Sequence, residues 1–121
     1  MTYESILLIE SQAAPGVTFT VQKMSYGRRA DLMRRIRELV RQQEFLRASE
    51  QPGDKMDAAL AETEINRVYL KWGLKAVSGL TIDGEEATPE LLAESGPEDL
   101  FREAVEAVRR ETGLSEEERK N

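Results

Sequence analysis

The chain of 121 residues contains no histidine and no cysteine. Histidine is the most common general base and metal ligand, so its absence excludes a Ser-His-Asp triad and histidine-ligated metals. The absence of cysteine excludes disulfides, thiolate zinc sites and thiol nucleophiles. A Walker-type phosphate loop is missing too, because Glu85 follows Gly84 where Gly-Lys would be needed. We therefore expect no enzyme, no catalytic residue, no cofactor and no metal site.

Long hydrophobic runs are missing as well. The N-terminal apolar run, Ile6-Leu7-Leu8-Ile9, is far shorter than the roughly 20 residues that a membrane-spanning helix needs. The start of the chain also lacks the basic region of a signal peptide. We therefore expect no membrane contact and a cytoplasmic location.

The stretch around Asp83-Gly84 combines the signals of a strand, a turn and a helix start. Gly84 supplies the positive φ of a two-residue hairpin turn. Thr88 suits the N-cap of the next helix, and Pro89 suits its first position. The carboxylates around the turn fit a solvated surface better than a metal site, because hard cations need more oxygen ligands at defined spacing.

The hydrophobic pattern predicts an α+β fold. Val17, Phe19 and Val21 alternate as in a strand, and the apolar run at residues 6–9 is expected to pair with it. From residue 28 the period is helical, which predicts long helices over about 28–49 and 55–73, with Asp54 as the N-cap of the second. We expect a small antiparallel sheet, made of the N-terminal hairpin and a strand near 74–82, packed with two long and two short helices. Residues 1–114 would form a single α+β domain and residues 115–121 an acidic flexible C-terminal tail; an all-α bundle with an added hairpin is the alternative.

Apolar stripes predict which side of each helix is buried. The predicted stripes are Leu32, Ile36, Leu39, Val40 and Leu46 in the first long helix, with Met33 and Phe45 beside them; Met56, Leu60, Ile65, Val68, Tyr69 and Trp72 in the second; and Phe101, Ala104, Val105 and Val108 in the last helix.

The net charge of −6 conceals an uneven distribution. Residues 23–47 carry eight basic and three acidic side chains, whereas residues 83–121 carry thirteen acidic and five basic ones. The arginines of the first long helix could contact phosphates, which makes a small nucleic-acid-binding regulator the alternative function. The acidic balance of the whole chain and the lack of interleaved aromatic residues favour a solvated or protein-facing surface instead.

Five segments of the second half resemble small proteins of tailed-phage and prophage morphogenesis modules. They are YLKWGL at 69–74, GLTIDG at 79–84, ATPELL at 87–92, GPEDL at 96–100 and GLSEEERKN at 113–121. With these segments the chain looks like a tail assembly chaperone of a long-tailed phage. A tail completion or minor tail protein is the neighbouring possibility.

The resemblance implies a non-enzymatic role in virion morphogenesis, in the cytoplasm of the infected or lysogenic bacterial host. Such chaperones bind the long, aggregation-prone tape measure protein and help to recruit tail tube subunits around it. Many are also made in a longer, frameshifted form, and the terminal Arg119-Lys120-Asn121 is compatible with a slippery site.

The predicted partner contacts lie on the two long helices. Arg28, Arg34 and Arg35 are candidates because they fall outside the apolar stripe. Tyr69 and Trp72 have two interpretations: packing in the core, or anchoring an interface from the end of a helix. Homo-oligomerisation stays open.

Overall fold

The computed structural model describes residues 1–114, which form an α+β structure. The predicted tail at residues 115–121 lies outside this range. The described chain clusters into two compact units, Met1–Met24 with Tyr69–Gly113, and Ser25–Val68 with Leu114. That residues 1–114 form a single domain stays a prediction. The strands are β1 (Ile6–Glu10), β2 (Thr18–Gln22), β3 (Leu74–Ser78), β4 (Thr81–Ile82) and β5 (Glu85–Glu86), and the helices are α1 (Tyr26–Ala48), α2 (Pro52–Gly73), α3 (Pro89–Ser95) and α4 (Glu98–Thr112).

The first unit is built on a three-stranded antiparallel sheet of order β1-β2-β3. In the central strand β2, Phe19 and Val21 are buried, whereas the residues that alternate with them, Thr18, Thr20 and Gln22, are half-buried. Val17, just before the strand, is buried as well. The predicted alternation and the predicted N-terminal hairpin are therefore confirmed, since successive side chains of a strand point to opposite faces.

The predicted strand near 74–82 is divided in the structure. β3 ends at Ser78, and Thr81–Ile82 belongs to a separate hairpin with β5. Gly79 causes the break, because its φ of +78° lies in the left-handed region and ends the extended conformation. Within β3, the register shifts so that Val21 lies opposite Leu74 while Thr20 lies opposite Ala76. This bulge lets Leu74 and Val77 both be buried, although a regular strand would point them to opposite faces.

The turn and helix start at residues 81–92 form as expected. Asp83 and Gly84 both have positive φ, 50° and 83°, between the two strands of the hairpin. The Thr88 hydroxyl accepts a hydrogen bond from the backbone N–H of Leu91 at 3.1 Å, and Pro89 begins α3. The local sequence signals therefore specified the local structure correctly.

Helix α4 packs on β2 and β3, and α3 packs on α4, β3 and β4. Ala104, Val105 and Val108 are buried in α4 as predicted. Phe101 is only half-buried, which corrects its assignment to the buried stripe. Leu100 takes that place, because the buried side of the helix lies one residue earlier in its first turn.

The second unit is formed mainly by α1 and most of α2. Ser25 caps α1, since its side chain accepts a hydrogen bond from the backbone N–H of Arg28 at 3.3 Å. Helix α2 begins at Pro52 and not near residue 55, so Asp54 lies in its first turn and the N-cap prediction was wrong. Proline is well suited to the first helical position, where its missing N–H costs no hydrogen bond. The Ser49 hydroxyl donates to the Asp54 carboxylate at 2.7 Å across the connection.

The buried residues of the helical pair differ from the predicted stripes in one important respect. Leu32, Ile36 and Val40 are buried in α1 as expected, but in α2 the buried side contains Ala58, Ala61 and Ile65. Met56 and Leu60 are 71% and 59% exposed, and Phe45 is 75% exposed, so their expected places in or beside the stripes were wrong. The small alanines and Ile65 recur at three- and four-residue spacing, which puts Met56 and Leu60 on the outer side of the helix.

Candidate protein-interaction surface

Among residues 1–114, no three Asp or Glu side chains lie close enough together to hold a metal ion. The carboxylates of Asp83, Glu85 and Glu86 are exposed at the hairpin turn.

Glu103 is a carboxylate with several hydrogen-bond donors. It accepts from the Ser11 hydroxyl at 2.5 Å and from the backbone N–H groups of Gln12 and Ala13 at 2.8 and 3.4 Å. Partial burial alone would raise the pKa of Glu103, but these hydrogen bonds and the nearby Arg110 outweigh burial and hold the pKa below 4.5. A carboxylate that stays ionised and fully engaged acts as an anchor for the β1–β2 loop on α4 and not as a general acid.

Replacing Glu103 by alanine is expected to lower the free energy of unfolding by about 1–3 kcal/mol at pH 7, because the buried Ser11 hydroxyl loses its acceptor. The pKa of Glu103 is lower in the folded state than in the unfolded state. The stabilisation by Glu103 is therefore fully present above the unfolded-state pKa, and it is lost as the pH falls through the folded-state pKa. Urea titrations followed by the fluorescence of Trp72, the single tryptophan, would measure both effects.

Glu106 provides the matched control, since it lies on the same helix and is exposed. Glu106→Ala should change stability by no more than about 0.5 kcal/mol. Equal losses for the two alanine variants, or a loss at Glu103 that does not decrease as the pH is lowered, would contradict the anchoring role.

Two of the predicted partner contacts, Arg28 and Arg35, lie beside Asp31 near the start of α1. The Arg35 guanidinium forms an exposed ion pair with Asp31 at 3.0 Å, four residues apart on the helix. Burial lowers the pKa of Arg28, while Asp31 raises it and Arg35 lowers it further. These two arginines are therefore already engaged with the helix surface, and Arg34, which is exposed on another side, is not part of that group.

The two predicted aromatic contacts, Tyr69 and Trp72, are buried in the first unit. The guanidinium of Arg109 lies over the Tyr69 ring at 4.8 Å from its centre, a cation–π geometry. This placement agrees with their interpretation as core residues. Their role as interface anchors stays a prediction.

The side of α1 opposite its buried residues carries a row of exposed side chains that we call the α1 outer stripe. It consists of Arg34, Arg37, Arg41 and Phe45, all exposed. Their spacing of three, four and four residues places them one above another along the helix. Sequence reasoning identified Arg34 but assigned Phe45 to the neighbourhood of the core. The signal for the full stripe was the same three- and four-residue spacing, counted on the polar side.

Helix α2 and strand β1 also expose large apolar side chains. On α2, Met56 and Leu60 are four residues apart and therefore adjacent on its surface. On the edge strand β1, Leu8 is 65% exposed. Apolar groups that remain uncovered and adjacent are typical of surfaces that bind other proteins.

Comparison with known proteins found no match for the chain among family models, curated proteins or solved structures. In the described part of the chain, no helix combines the length and the apolar character needed to cross a membrane.

Proposed function

We propose that the protein is a non-enzymatic tail assembly chaperone of a long-tailed phage or prophage, which binds the tape measure protein in the bacterial cytoplasm and aids assembly of the tail tube. The sequence resemblance of residues 69–121 supports this role. The observation that carries it physically is the exposure of Phe45, Met56 and Leu60 on the helical pair α1–α2. Such side chains are suited to cover apolar stripes of a long helical partner.

The charge of the chain fits the same task. A net charge of −6 opposes self-association of the protein and of any complex in which its acidic surface stays outward. The exposed apolar groups would bind the partner, while the surplus carboxylates would keep the complex in solution. Recruitment of tail tube subunits follows from the resemblance and would be a second, later step.

Co-expression with the tape measure protein encoded next to the gene tests the proposal. The chain is expected to raise the soluble fraction of that protein severalfold. Replacing Phe45, Met56 and Leu60 together by serine should remove most of this effect, because truncating a contact residue at the centre of an interface costs about 1 kcal/mol or more. The readout is the soluble fraction of the tape measure protein after centrifugation.

Tyr26→Ser is the control, since it removes an exposed large side chain that is not one of the three replaced residues. It should leave the soluble fraction unchanged. An unmodified chain that has no effect on the tape measure protein would contradict the chaperone proposal.

A second candidate function is a small nucleic-acid-binding regulator, and the arginines of the α1 outer stripe are the observation that favours it. Binding of labelled duplex DNA to such a surface must weaken steeply with salt, because each neutralised phosphate releases counterions. Anisotropy titrations at two salt concentrations would test this function.

A further inference from the structure

The α1 outer stripe places like charges next to one another. Arg34 and Arg37 are three residues apart, and Arg37 and Arg41 are four apart, so each pair is adjacent on the helix surface. Among residues 1–114, neither Arg34 nor Arg37 forms an ion pair. Like-charged neighbours at these spacings destabilise a helix. Arg34 and Arg37 therefore carry positive charge that no ion pair within residues 1–114 neutralises.

Phe45 continues the row of arginines at its C-terminal end. Its side chain is 75% exposed, one helical turn beyond Arg41. From Arg34 to Phe45 the stripe extends about 16 Å along the axis, or three turns. A surface of this shape presents three cations and one aromatic ring along one side of the helix.

We propose that the α1 outer stripe binds an acidic amphipathic helix of the partner. The complementary helix has carboxylates at three- and four-residue spacing opposite the three arginines and an apolar side chain opposite Phe45. Charge complementarity selects this occupant, and the equal rise per turn of two helices keeps the charges in register over the whole stripe. The inference rests on the proposed chaperone function, for which it specifies the chemistry of the bound tape measure segment.

Phe45 favours a helical protein partner over nucleic acid. Its exposed ring requires an apolar contact, which the phosphates of a duplex do not provide. Glu38 and Glu44 are exposed on the same helix and repel carboxylates and phosphates alike, so they do not distinguish the two partners.

A synthetic peptide gives a direct test. An acidic amphipathic peptide of about 20 residues, long enough to be helical, would carry glutamates at three- and four-residue spacing beside a leucine row. A second peptide of the same composition would have the glutamates scrambled around the helix. The unmodified full chain should bind the first peptide at least about tenfold more tightly than the second, because only the first aligns its charges with the stripe. Equal affinities would overturn the proposal.

Charge reversal of the stripe then locates the site. The triple variant Arg34→Glu, Arg37→Glu, Arg41→Glu should bind the acidic peptide at least about tenfold more weakly, and Phe45→Ala should weaken binding without changing its salt dependence. The control variant Lys55→Glu, Lys71→Glu, Lys75→Glu changes the net charge equally at exposed positions elsewhere.

Equal loss of peptide affinity in both triple variants would show attraction by net charge alone and overturn the proposal. Tighter binding of duplex DNA than of the peptide at 0.15 M salt would overturn it as well. Circular dichroism of each variant confirms its helix content, and the triple glutamine variant replaces any reversal that fails to fold.

Co-expression separates this inference from the chaperone function. If the unmodified chain solubilises the tape measure protein and the Arg→Glu triple variant does so equally well, the stripe is not the binding surface while the chaperone function stands. If the unmodified chain has no effect, the chaperone function fails, and the peptide titration still decides whether the stripe binds an acidic helix.

Discussion

Replacing Gly79 by alanine is expected to lower the free energy of unfolding by about 3 kcal/mol. The φ of Gly79 is +78°, a conformation that costs a residue with a Cβ about 1–2 kcal/mol. The added Cβ would also collide with the Gly16 carbonyl oxygen. Relief by movement of that loop is restricted, because Val17 donates its N–H to Ala14 at 3.0 Å and accepts from Ser11 at 2.8 Å. Overpacking of this kind adds about 1–3 kcal/mol.

Gly84→Ala separates the two contributions. Gly84 has a similar φ of +83°, but nothing lies within 4 Å of an added Cβ. Gly84→Ala should therefore lower the free energy of unfolding only by the conformational cost of the positive φ, about 1–2 kcal/mol. Urea unfolding of both variants, followed by Trp72 fluorescence, gives the difference. Equal losses would show that the loop around Gly16 moves aside at no cost.

Phe19→Ala is expected to cost about 3–5 kcal/mol, the usual range for removing a buried aromatic ring. Phe19 is 0% exposed and lies in the central strand, opposite Ile9 on β1 and Val77 on β3. Helix α4 packs on the same strand. Because strands pair on both sides and a helix packs on it, little can collapse into the space that the ring leaves.

Leu8→Ala is the control for this variant. Leu8 lies on the neighbouring strand β1, opposite Thr20, and is 65% exposed. Its truncation should change the free energy of unfolding by no more than about 0.5 kcal/mol. A loss below about 1 kcal/mol for Phe19→Ala in the same urea titration would mean that the sheet core is not as packed as the structure shows.

The elements that the sequence predicted well depend on short-range signals. Thr88 and Pro89 start α3, Gly84 forms the turn, and the alternation around Phe19 gives β2 and its buried face. Each of these signals acts within a few residues, through φ preference, capping or the two-residue period of a strand. The α+β fold class could be predicted because it depends on the type and order of such elements.

The buried sides of the long helices were harder to predict. In α2, Met56 and Leu60 were expected inside because they are large and apolar, whereas Ala58 and Ala61 are the residues that are buried. A helix with apolar residues on more than one side has no unique buried side by pattern alone. Of the candidate surface, Arg34 was identified from the sequence, and Phe45 was found only through its exposure.

By itself, the sequence determined the elements, their order and most of their ends, together with the exclusion of histidine and cysteine chemistry. The tertiary structure alone decided three other features. It placed Gly79 so close to the Gly16 backbone that an added Cβ would collide with the Gly16 carbonyl oxygen. It joined Glu103 to Ser11, 92 residues away in the chain. It also selected the outward sides of α1 and α2, and with them the α1 outer stripe. The physical reason is common to all three: local preferences are encoded in neighbouring residues, whereas contact partners distant in the chain are fixed only when the elements pack.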